Sequence, residues 1–229
     1  LSTIQTTAAW VGVRQPTTVV NSTDVQVQQL YALCNEELEE MSKGFQWQVL
    51  TKGYSFVTTA TAIQATAIPS DWSSFVPETM WNQSMAWPIM GPLSEQDWQN
   101  IQANLPAGPI PTYYRMIENT YYLTPTPTAG QTVAYSYVSL NCVLSNLGAE
   151  QTSYLADTDT AKISERIISL GTRWRFKAAK GLDYAEDLRT YEREKAIMQG
   201  KDRGMKNINM SYQGWGRPFP YVQEGSYPG

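Results

Sequence analysis

The hydrophobic period changes twice along this chain, helical at both ends and alternating in the middle, and that pattern most limits its fold. In the first block, Val27, Leu30, Tyr31, Cys34, Leu38 and Met41 recur at spacings of 3, 1, 3, 4 and 3, which is one face of a helix. Thr23 with Gln26 three residues on reads as a capping box, and Gly44 as the C′ residue that closes the helix. Glu36, Glu37, Glu39 and Glu40 fall mostly off the stripe and read as a solvated flank. Thr3–Val13 predicts a short helix ahead of it, joined by a connector, Arg14–Asn21.

From Phe45 to Tyr137 the texture is β-like. Phe45, Trp47 and Val49 alternate, and the Tyr54–Ile68 run is rich in Thr, Ala and Ile. A loop with Pro69 and Asp71 follows, then strand-like Thr79–Trp81 and Ala86–Met90. Ser94 caps a short helix carrying Asp97, Trp98 and Ile101, and Pro106–Pro111 demands a loop. Tyr113–Ile117 and Tyr121–Leu123 read as a hairpin turned at Glu118-Asn119, and Thr132–Leu140 as a further strand. Helical spacing returns with Ile163, Ile167, Leu170, Trp174 and Ala178, with Asp159 or Thr160 as its cap. Gly181 interrupts it, and Asp183 with Glu186 opens a second helix whose apolar face runs through Leu182, Ala185, Leu188 and Tyr191 to about Gln199. A helical hairpin is expected there, packed on the Thr23–Lys43 helix.

The expected architecture is therefore α+β: a helical bundle, made of N-terminal helices and a C-terminal helical hairpin, with an inserted antiparallel β-region and an extended C-terminal arm. The expected boundaries are 1–44 for the first helices, 45–145 for the β-region, 155–199 for the hairpin and 200–229 for the arm. That last segment mixes six glycines and three prolines with Tyr212, Trp215, Phe219, Tyr221 and Tyr227. It has no periodicity from which to build a core, yet five large rings gain from burial. An arm that lays those rings into grooves of another subunit is the expected use.

Histidine is absent, which removes Ser-His-Asp and Cys-His catalysis together with His-ligated zinc and haem. The two cysteines, Cys34 and Cys142, cannot form a four-cysteine site, and both read as buried small hydrophobes. No P-loop, dinucleotide fingerprint or nucleophile elbow occurs, so no catalytic residue, metal site or cofactor is expected. Neither a membrane-spanning run nor a signal-peptide pattern is found, and the default expectation is a soluble chain made in a reducing compartment, with no membrane partner.

Net charge is −4 overall, but residues 1–150 hold 4 basic and 11 acidic side chains and the remainder 13 and 10. Lys162, Arg166, Arg173, Arg175, Lys177 and Lys180 form the sharpest basic segment, against Glu165 alone. It reads either as a patch for an acidic surface or nucleic acid, or as the solvated face of a helix. Abundant Trp and Tyr, 8 and 14, beside only 17% charged residues fit a subunit that buries surface against partners.

Several stretches resemble the head-to-tail adaptors, or tail accessory factors, of short-tailed phages (podoviruses). They are NSTDVQVQQLYALCNEELEE, TMWNQSMAWPIMGPLSEQDW, AYSYVSLN and DTDTAKISERIISLGTRWRFKAAKGLDYAEDLRTYERE, in that order, across most of residues 20–195. The resemblance implies a structural virion protein at the portal vertex, assembled in the host cytoplasm. Its subunits would form a homo-oligomeric ring of twelve beneath the portal, extend the DNA channel and dock the tail nozzle or tail tube. Double-stranded DNA would pass without specific binding. A C-terminal segment would grip the portal, and the basic segment would face an acidic neighbour. Another connector layer, such as a stopper or tail-completion protein, stays open as a reading. So does a cell-wall glycan-binding or hydrolytic tail protein, with Glu36/Glu40 as its acidic pair.

Overall fold

A computed structural model of the chain describes residues 2–103 and 112–203. The expected loop at 106–111 and the arm aromatics Tyr212, Trp215, Phe219, Tyr221 and Tyr227 lie outside the described residues. Among the described residues there are five α-helices and a curled mixed sheet, so the fold is α+β.

Helix α1 is Ser2–Val11 and α2 is Val25–Gly44. Asp24, rather than Thr23, caps α2: its carboxylate accepts the Gln26 N–H at 2.9 Å. Gly44 is the last helical residue and not a left-handed cap. The apolar stripe is buried as expected, from Val27 through Leu30, Cys34 and Leu38 to Met41. Each such side chain contributes roughly 2 kcal/mol of burial. The Phe45–Val49 alternation forms no strand. A 3₁₀ turn, Gln48–Leu50, occupies it, held because the Trp47 indole N–H reaches back to the Met41 carbonyl at 2.8 Å.

The main sheet contains β1 (Thr51–Val57), β2 (Trp72–Phe75), β3 (Trp81–Asn82), β4 (Trp87–Met90), β5 (Thr112–Ile117), β6 (Thr120–Thr124) and β7 (Thr132–Ser139). Its order is β1-β7-β3-β4-β5-β6, with β2 beside β7. The β5–β6 hairpin turns at Glu118 and Asn119, whose φ values of 50° and 59° suit a tight primed turn. An all-antiparallel sheet is not what forms: β4 pairs with β5 in parallel. The reason is α3 (Glu95–Ala103), which lies between them and makes the connection a crossover rather than a hairpin. Ser94 caps α3, accepting the Asp97 N–H at 3.1 Å and donating to its carboxylate. β2 falls where the sequence predicts only a loop.

A small second sheet, β8 (Val143–Leu144), β9 (Glu150–Gln151) and β10 (Thr160–Ala161), leads into α4 (Glu165–Ala179). Ser164, not Asp159 or Thr160, stands at the α4 N-terminus; Asp159 instead braces its loop by accepting the Leu155 and Ala156 N–H groups. At the other end Gly181 takes φ +70°, its N–H bonds the Ala178 carbonyl, and the Leu182 N–H bonds the Lys177 carbonyl. That left-handed turn closes the helix. Asp183 then accepts the Ala185 N–H and α5 (Ala185–Arg203) begins, running through Gly200. Leu182 and Ala185 are exposed, so the apolar face of α5 is narrower than its spacing predicts; Leu188 and Tyr191 pack inward. Helix α4 packs against α1, α2 and α5.

Buried side chains gather in two clusters. One lies among the helices and takes in Val138, Cys142 and Val143 from the end of β7 and from β8. The other is aromatic and belongs to the sheet, with Phe56, Tyr114, Tyr121, Tyr135 and Tyr137. Much of the tyrosine content therefore fills a core, in edge-to-face pairs such as Phe75–Tyr135 at 5.0 Å between ring centroids.

Candidate functional site

The basic segment and the acids of α2 meet along the seam between α2, α4 and α5. Glu37 sits on α2 between Cys34 and Met41 and is 0% exposed, so it is no part of a solvated flank. Its Oε2 accepts from Arg175 Nε at 2.7 Å and its Oε1 from the Tyr191 hydroxyl at 2.6 Å. Gly171, one turn before Arg175 on α4, makes room for it: a Cβ there would lie 2.2 Å from the Glu37 carboxyl carbon. Arg175 also pairs with Glu36 at 3.4 Å and with Glu40. Burial works against the Arg175 cation, but the bonds from Glu37 and Glu40 outweigh it and hold its pKa above the ordinary value. Burial and the bond to Glu37 push the Tyr191 hydroxyl up as well. The group is an ion-paired clamp across three helices, with Glu36 and Glu40 both turned onto Arg175.

A second clamp joins α4 to α5. Asp187, also buried, pairs with Arg173 and with Lys177, the latter at 2.5 Å. Arg173 lies over the Trp10 ring, 5.0 Å from its centroid, and so ties α1 to the same seam. Beside it a groove of about 620 Å³ opens between α1, α4 and α5, lined by Thr6, Trp10, Glu165, Arg166, Arg173 and Thr190. Trp10 is 67% exposed there.

A third ionic chain links the main sheet to the small second sheet. Asp71, at the start of β2, accepts from Lys52 of β1 at 2.8 Å and from Tyr137 and Ser139 of β7 at 2.8 and 2.7 Å. Lys52 also pairs with Glu150, which accepts from Lys162 at 2.7 Å. Burial opposes the Asp71 carboxylate, yet those three donors prevail and hold its pKa at about 2. Hydrogen bonds from Lys162 and Lys52 likewise keep Glu150 below the carboxylate range.

The six basic candidates are thus dispersed. Lys162, Arg173, Arg175 and Lys177 lie in in-chain ion pairs with low exposure. Arg166 and Lys180 are exposed, the first 3.3 Å from Glu194 and the second 5.3 Å from the Phe176 ring. Sequence reasoning missed Glu37, Gly171, Tyr191, Asp187 and Asp71. For Glu37 a signal was present: it continues the Leu30–Cys34–Met41 face at helical spacing.

Both cysteines are free and buried, and burial pushes the Cys34 thiol up to about 12. Among the described residues no group of three or more Cys, Asp or Glu side chains is arranged to hold a metal ion, and no helix is long and apolar enough to cross a membrane. Glu36, Glu37, Glu40 and Asp187 are arranged for ion pairing. A family model described as SU10 adaptor protein matches residues 1–218 of the chain. No curated protein matches it.

Proposed function

The chain belongs to the SU10 adaptor protein family, structural components of phage virions and not enzymes, and from that premise we propose that it is the head-to-tail adaptor of a short-tailed phage. Twelve copies form a ring beneath the portal, continue the DNA channel and offer the nozzle or tail tube its docking surface. The family match over residues 1–218 carries this reading. Two structural features support it. The ion-paired seam fixes α2, α4 and α5 against one another, which suits a subunit that transmits load between portal and tail. Net charge also fits: at −4 per copy, a ring of twelve carries roughly −48, and such a field lets DNA slide rather than bind.

On this reading the rings of Tyr212, Trp215, Phe219, Tyr221 and Tyr227 engage the portal when the ring assembles. Of the basic segment, Arg166 and Lys180 are the side chains offered to an acidic neighbour; Arg173, Arg175 and Lys177 set the seam that presents them, and Lys162 is taken up by Glu150. Assembly takes place in the host cytoplasm, and the finished protein resides at the portal vertex of the virion.

Native mass spectrometry of the purified chain mixed with the portal protein of the same genome tests this. The expected product is one portal ring plus twelve copies. Truncation after Arg203 is expected to weaken that binding by at least about tenfold, the loss of several buried aromatic anchors. A chain that ignores the portal at micromolar concentration while binding a later connector component would overturn direct portal docking.

A further inference from the structure

The main sheet treats its two edges differently. At β6 the outer edge is covered: the Gln64 N–H bonds the Tyr121 carbonyl at 2.9 Å, the Leu123 N–H bonds the Ala62 carbonyl at 2.8 Å, and Ile63 bridges Tyr122. At the opposite edge, β1 pairs only with β7 among the described residues. Its direction of bonding follows from β7. The Ser136 and Thr132 carbonyls accept from Val76 and Gln83 on the far side, so Val133, Tyr135 and Tyr137 face β1. Their register partners Phe56, Tyr54 and Lys52 face back, and the N–H and C=O groups of Gly53, Ser55 and Val57 point outward. Those three residues are exposed. An open edge of this length invites pairing, and proteins cover or blunt such edges.

The surface beside that edge is shaped for rings. Gly53, Ser55, Ala134 and Ser136 floor a shallow hollow of about 450 Å³, with Trp81 on one side. Nothing stands within 4 Å of where a Gly53 Cβ would be.

We propose that residues 217–222 of the same chain dock on the open edge of β1 as an added antiparallel strand. The sequence there is Arg-Pro-Phe-Pro-Tyr-Val, with prolines and aromatics alternating. Set opposite Val57, Ser55 and Gly53, the residues Arg217, Phe219 and Tyr221 direct their N–H and C=O groups to β1. Pro218 and Pro220 then face away, where a missing N–H costs nothing and where proline stops any further strand from adding. Residues with bonds toward β1 also share its outer face, so the Phe219 and Tyr221 rings fall over Ser55 and Gly53, on the small-residue floor. The tether reaches. The Asp202 carboxylate accepts the Gln48 N–H at 2.9 Å, which places the end of α5 just before β1. Residues 204–216 extend to about 43 Å, enough to pass along β1, about 23 Å, and turn, so that residues 217–222 themselves run back along it. A tether in the same chain keeps the local concentration of the strand high. Nothing in this pairing requires a portal or a ring; on the adaptor reading, a partner that takes the arm displaces it from β1.

Amide-resolved hydrogen exchange on the full-length free chain tests the pairing. The Gly53, Ser55 and Val57 amides are expected to exchange at least about tenfold more slowly than unprotected amides. Phe219→Ser with Tyr221→Ser should abolish that protection while the Tyr54 and Phe56 amides, bonded to β7, keep theirs. Ser55→Pro, which removes the N–H that donates to the Phe219 carbonyl, should undo the pairing and thereby release the Phe219 amide with the same two controls unchanged. Free exchange at residues 53, 55 and 57 in the full chain would sink the proposal. So would protection that survives the double substitution, or protection that grows with protein concentration, which would put a second copy at the edge.

Discussion

The helical core holds a fully buried ion, Glu37, whereas the aromatic core of the sheet holds phenols. Glu37 is tolerable only because Arg175 and Tyr191 saturate its two oxygens and Gly171 lets the helices close around it. The sheet places Tyr121, Tyr135 and Tyr137 in its core, and their hydroxyls donate to Met80 and Ala67 within the cluster and to Asp71 beside it. The contrast concerns failure as much as strength. A phenol that loses its partner leaves one neutral group unsatisfied, but a buried carboxylate that loses its cation leaves a charge. The seam is therefore specific and brittle, and the tyrosine core is tolerant.

The sharpest way to break the comparison is to remove the cation. Arg175→Met keeps the packing volume of the side-chain stem and leaves Glu37 buried without its ion partner. A loss of about 3–5 kcal/mol is expected from urea unfolding. The double variant with Glu37→Met removes both charges and should recover most of that loss, because packed apolar groups replace buried pairs well. If the single variant costs less than about 1 kcal/mol, the clamp does not hold the helices.

The elements that local chemistry specifies were legible in the sequence. The α2 stripe, the Ser94 cap, the Glu118-Asn119 hairpin and the Gly181 break each lie within a few residues of the cause. What escaped depends on partners far along the chain. Glu37 looks like one acid among four until Arg175, 138 residues away, arrives beside it. Phe45, Trp47 and Val49 alternate like a strand, yet the Trp47 indole bond to Met41 turns the backbone instead. The parallel β4–β5 pair depends on how α3 crosses, which no residue of either strand records. The basic segment read either as one patch or as a solvated helix face because its residues are close in sequence; the fold instead puts Lys162, Arg175 and the pair Arg173 and Lys177 into three separate ionic groups. The resemblance to phage adaptors, carried by whole stretches, survived these misreadings, and the match over residues 1–218 supports an adaptor-type protein.

Asp71 separates the two chemistries at their junction, since it is an ion held partly by phenol and hydroxyl donors. Its folded pKa of about 2 lies below the unfolded value of about 3.9. A depressed carboxylate stabilises the fold fully above the unfolded value, and that contribution fades as pH falls through the folded one. The expected loss is up to about 2 kcal/mol between pH 4 and pH 2. Asp71→Asn should flatten that segment of the stability–pH curve. An unchanged slope in the variant would mean that other carboxylates set the acid limb.

The smallest expected effect sharpens the sheet side of the comparison by holding chemistry constant and varying burial. The Tyr135 hydroxyl donates to the Ala67 carbonyl inside the core, and the Tyr54 hydroxyl donates to the Thr66 carbonyl at 2.9 Å at an exposed site. Both bonds join β strands to the same loop, and both are removed by a change to Phe without loss of the ring. Tyr135→Phe leaves a buried carbonyl without its donor, for which about 1–2 kcal/mol is expected. At Tyr54→Phe water replaces the lost donor, and the change should stay within about 0.5 kcal/mol. Paired denaturation curves decide it. Equal losses at the two sites would mean that the bond itself, and not its burial, stabilises the sheet, and the tolerance ascribed to the tyrosine core would then have to come from the rings alone.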